Sequence, residues 1–62
     1  MTNEQKAYIN KLINHYEYMS NMFGDASREA KKAGNEEQYS LWLEKQVIYY
    51  RMKSDLEKIL KI

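Results

Sequence analysis

Residues 31–38 read Lys-Lys-Ala-Gly-Asn-Glu-Glu-Gln, a helix stop followed at once by a helix start. Lys31 and Lys32 place cations in a last turn, where the carbonyl end of a helix favours positive charge. Gly34 can take the left-handed conformation that closes a helix without a Cβ clash. Asn35 is an N-cap residue, with Gln38 three positions on and Glu36 and Glu37 at the positive end of the next helix. The 62 residues contain no proline and only one other glycine, Gly24. The chain therefore divides into two helical arms at 34–35.

Working outward, each arm carries an apolar seam. Ile9, Leu12, Tyr16, Met19, Phe23, Ala26, Ala30 and Ala33 follow one another in steps of three and four, the spacing of one side of a helix. Trp42, Lys45, Tyr49, Met52, Leu56 and Ile59 do the same on the second arm, with Lys45 the one charged member. Thr2 and Gln5 have the spacing of a capping box. The spacing predicts helices over about 3–33 and 36–60, roughly 46 and 37 Å long at 1.5 Å per residue. Similar lengths and a short joint predict an all-α antiparallel helical hairpin. Gly24-Asp25 leaves two readings open. Glycine can end a helix and aspartate can cap a new one. The seam nevertheless passes through Gly24 without a phase shift, and a mid-helix glycine costs only about 1 kcal/mol. The phase favours one long helix.

A chain of 62 residues makes a single domain, whose lone core supplies about 3–5 kcal/mol. Small domains gain support from disulfides, metals or self-association. There is no cysteine and only one histidine, so no disulfide, thiolate site or cofactor is expected. Self-association remains. A second stripe, Tyr39, Leu43, Val47 and Tyr50, lies off the seam of the second arm, and Leu41 and Ile48 flank the seam's other side. One antiparallel neighbour cannot cover so wide a face. Two hairpins are therefore expected to pair into a homodimeric four-helix bundle, the alternative being a fold-back of a first arm broken at Gly24.

Ten basic and nine acidic residues leave a net charge of +1, too balanced to require nucleic acid or acidic lipid. No apolar run approaches the ~20 residues of a membrane span, and the opening Met-Thr-Asn-Glu-Gln-Lys lacks a signal peptide's apolar region. The polar positions of the second arm are mixed in sign, unlike a basic membrane-surface helix. A cytoplasmic protein with no membrane partner is expected.

No nucleophile, base and carboxylate set is present, and no glycine-rich phosphate loop. His15 and Glu17 are two apart, so they do not face each other on a helix. An enzyme is not expected. Six tyrosines, one tryptophan and one phenylalanine are a heavy aromatic load. Tyr16, Trp42 and Tyr49 sit on the seams and read as core. Tyr39, Tyr50 and Tyr18 fall off them and read, with Leu43 and Val47, as an interface with a partner or a second copy. Arg28, Lys31 and Lys32 form a basic face that suits the end of a helix and could contact an anion. On an arm broken at Gly24 they would occupy a helix of about two turns, too short for the recognition helix of a helix-turn-helix. The expected function is a non-enzymatic protein-interaction module, an inhibitor or adaptor of the size of phage and mobile-element accessory proteins. Its expected partners are a second copy of itself and an unidentified protein. The alternative is a nucleic-acid or nucleotide binder using Arg28, Lys31 and Lys32 with tyrosine stacking.

Overall fold

The first helix begins where Thr2 can satisfy free amides. In a computed structural model describing residues 1–61, Thr2 Oγ1 accepts from the Gln5 amide at 3.1 Å, and Gln5 Oε1 accepts from the Thr2 amide at 2.9 Å. From this capping box, α1 runs over Asn3–Lys32. It is continuous through Gly24, so the unshifted seam, and not the glycine, decides the local structure. The chain then reverses. Gly34 takes φ 74°, the Asn35 amide donates to the Ala30 carbonyl at 2.9 Å, and the Gly34 amide donates to the Lys31 carbonyl at 3.1 Å. These two bonds are the Schellman closure of a helix. Asn35 then starts α2, Glu36–Leu60, its side-chain oxygen accepting from the Gln38 amide at 3.1 Å. Replacing Gly34 by alanine forces a Cβ into the left-handed region and should cost about 1–2 kcal/mol. Thermal melts check this; an unchanged midpoint would mean that the turn does not depend on that φ.

The two helices pack against each other in a hairpin with Cα extents of 48 × 14 × 11 Å, and the first residues of the longer α1, through Tyr8, are exposed. Their line of closest approach is not the centre of the apolar seams. The buried residues of α1 are Ile13, Ser20, Gly24 and Ser27, and α2 has none. Seam members Ile9, Leu12, Tyr16, Met19, Phe23, Ala26 and Ala30 are only half-buried, and Ala33 is exposed. On α2 the half-buried line runs Tyr39, Trp42, Gln46, Tyr49, Lys53, Leu56 and Leu60, with the seam's Met52 half-buried beside it, whereas Lys45 and Ile59 of the seam are exposed. Small residues explain the shift. A Cβ at Gly24 would meet Gln46 Nε2 at 2.6 Å, so glycine leaves the room that the Gln46 side-chain amide fills across the helix contact. Ser20 Oγ donates to the Gln46 carbonyl at 3.4 Å, and Ser27 Oγ folds back onto the Gly24 carbonyl at 2.7 Å. These hydroxyls keep a close-packed line free of unsatisfied polar atoms.

Above this line sits an aromatic cluster. Phe23 stacks on Trp42 with ring centroids 5.6 Å apart, and Tyr49 lies 5.3 Å from Phe23 and 5.9 Å from Tyr16. Trp42 Nε1 donates to Gln38 Oε1 at 3.0 Å, so the indole is apolar on its face and satisfied at its edge. Among the described residues no side chain is fully buried, and Ile13 is the one buried apolar residue.

Candidate interaction surfaces

Helix geometry sorts the exposed apolar residues onto two sides of the hairpin. Side chains advance about 100° per residue, and antiparallel packing turns the earlier-phase flank of each helix toward the same side. Lys45 marks that side: its ammonium lies 5.8 Å from the Phe23 ring and 5.3 Å from the Trp42 ring, bridging the two helices. Both apolar seams lean this way, and Met19 and Met52 sit on it. It is the wider apolar face because both helices contribute to it.

The opposite side is marked by Lys53, which reaches Glu17 of α1 at 3.5 Å and Glu57 at 3.7 Å, with its ammonium 5.8 Å from the Tyr50 ring. Here α1 presents Asn10, Glu17, Asn21 and Arg28, so apolar surface comes from α2 alone. Leu43, Val47 and Tyr50 are all exposed on this side, Tyr50 by 59%. Val47 and Tyr50 join Ser20, Gln46 and Arg51 in lining a shallow groove. Tyr39 is half-buried, with the Lys31 ammonium 5.6 Å from its ring. Tyr18 is 65% exposed but points away from the α2 stripe. The structure thus brings together Leu43, Val47 and Tyr50, places Tyr39 at their turn-end extension, and leaves Tyr18 apart.

The basic face is largely engaged by neighbouring side chains. Arg28 pairs with Asp25, Lys32 lies 3.9 Å from Glu29, and Lys31 lies over Tyr39. Exposed pairs of this kind contribute little stability, but they leave less free charge for a phosphate. His15 packs beside Tyr16, with ring centroids 5.7 Å apart, and is exposed. Among the described residues no cluster of three or more histidine, aspartate or glutamate side chains could hold a metal ion, and no helix is long and apolar enough to cross a membrane.

Sequence reasoning missed the line Ser20, Gly24, Ser27. Its signal is small residues at four- and three-residue spacing, the mark of a close helix contact, whereas Gly24 by itself suggests a break point. Gln46 and Lys53 carried no such signal, because polar residues in a contact line follow the small residues opposite them. No protein-family model matches this chain, and neither does any curated protein or any solved structure.

Proposed function

We propose that this chain is a small non-enzymatic protein-interaction module, an inhibitor or adaptor that works as a homodimeric four-helix bundle by occupying a surface on a partner protein. The observation that carries the reading is the shortage of interior. The hairpin exposes 5011 Å², whereas a compact monomer of 7.5 kDa exposes about 4,250 Å². The surplus of about 750 Å² is close to the ~800 Å² that each partner buries in a standard interface. With no fully buried side chain among the described residues, the chain gains most of its remaining stability by covering such surface.

The Leu43, Val47 and Tyr50 stripe, extended by Tyr39, is the better partner surface on energetic grounds. Desolvated aromatic anchors contribute roughly 2 kcal/mol or more each, while exposed charges such as Arg28 and Lys32 contribute below about 1 kcal/mol. A Tyr39→Ala, Tyr50→Ala double variant is expected to keep its helical circular dichroism and lose capture of its partner from source-cell extract. Retained capture in that variant, with loss on charge reversal of Arg28, Lys31 and Lys32, would favour the nucleic-acid alternative. Salt provides the second readout: binding to phosphates weakens steeply with added salt, and apolar association does not.

A further inference from the structure

The offset between the apolar seams and the line of closest approach identifies the surface on which a second copy sits. A helix with one neighbour centres its apolar stripe on that neighbour. A helix in a four-helix bundle has two neighbours, and its stripe bisects them. In α1 the buried line passes through Ser20 and Gly24 while the seam passes through Met19 and Phe23. In α2 the half-buried line and the seam share Trp42, Tyr49 and Leu56, but the line continues through Gln46 and Lys53 while the seam continues through half-buried Met52 and exposed Lys45 and Ile59. Both seams are rotated by roughly 60–90°, and both toward the Lys45 side.

We propose that a second copy of this chain packs on the Lys45 side of the hairpin, with Met19 and Met52 at the centre, leaving the Leu43, Val47 and Tyr50 stripe outside the dimer. The inference rests on the self-association reading and adds the face and the geometry. The Lys53–Glu17 pair at 3.5 Å and the approach of Gly24 to Gln46 set the register. That register puts Met19 level with Met52, near the middle of the hairpin. Methionine at a central seam adapts its shape to a like surface.

Charge selects the orientation. Lys45 is the one charged residue of either seam and lies about 10 Å from the hairpin's middle toward the turn. A two-fold axis parallel to the helices would set the two Lys45 side chains at the same level, on diagonally opposed helices of one bundle interior. A two-fold axis across the helices keeps them about 20 Å apart, beyond a Debye length at physiological salt. The copies therefore pack with their turns at opposite ends, a closed isologous contact.

Met52 and Leu43 make a matched pair on opposite sides of the same helix. In sedimentation equilibrium, Met52→Glu is expected to raise the dimer dissociation constant about 30-fold or more, and Leu43→Glu to leave it within about threefold of the parent. The chain has no cysteine, so Met52→Cys and Leu43→Cys give a second measurement that makes no demand on a folded monomer. The Met52→Cys thiol should be protected from a soluble alkylating reagent at high protein concentration and react on dilution. The Leu43→Cys thiol should react alike at both concentrations. The opposite pattern, or equal responses from the two positions, overturns the assignment of the face while leaving dimerisation intact. A parent chain that is monomeric at every concentration overturns the self-association reading itself.

Discussion

Replacing Phe23 by alanine should remove most of the hairpin's stability. Phe23 is the centre of the aromatic cluster, stacked on Trp42 at an interplanar angle of 17° and packed against Tyr49. A fully buried phenylalanine costs about 3–5 kcal/mol on truncation. Phe23 is half-buried, which lowers the expectation to about 2–4 kcal/mol. The whole stability of a domain this small is about 3–5 kcal/mol, so most of it goes. A melting midpoint lowered by about 10 °C or more, the shift that about 2 kcal/mol produces in a domain this small, together with a red shift of Trp42 emission, is the expected result. A variant melting within a degree or two of its parent would mean that the cluster does not hold the arms together. Ile59→Ala makes the contrast: Ile59 is 42% exposed in the hairpin, so its truncation should act chiefly on dimerisation.

Gly24→Leu should be nearly as damaging, for the opposite reason. The side chain would enter the line where a bare Cβ already meets Gln46 at 2.6 Å. Overpacking of this kind costs about 1–3 kcal/mol or more, and the helix-propensity gain over glycine, about 1 kcal/mol at most, does not cancel it. Gly24→Ala separates the two effects. Its nearest obstacle is the end of a flexible side chain, so moving Gln46 offsets much of the propensity gain and the net change is small. In a Gln46→Ala background the obstacle is gone, and the same substitution should stabilise by about 0.5–1 kcal/mol. Equal effects of Gly24→Ala in the two backgrounds would show that the Gln46 side chain does not pack against Gly24.

Much of this hairpin is legible in its sequence because its ends are built from local chemistry. Thr2 with Gln5, Gly34 and Asn35 each satisfy backbone groups of their own turn, so no distant residue can override them. The continuity of α1 is legible for a related reason: a broken helix would have shifted the seam beyond Gly24, and no shift occurs. The pairing of the arms is less legible. Apolar spacing gives the side of a helix that wants cover, averaged over every neighbour it will have. It does not give the line nearest any one neighbour. Here that line is set by Ser20, Gly24 and Ser27, whose merit is small size. The same reasoning explains why the candidate interface could be read only as a pattern. Leu43, Val47 and Tyr50 are recognisable as surplus apolar residues, but the polar flank of α1 that isolates them becomes visible only once the arms are set side by side.

Self-association is the claim from which the functional proposal draws its support, and the mass of the parent chain in solution tests it directly. Sedimentation equilibrium over a micromolar concentration series is expected to give a species near twice 7.5 kDa, with a melting temperature that rises with concentration. A mass of 7.5 kDa throughout, with a cooperative melt independent of concentration, would contradict it and leave the hairpin a complete fold on its own.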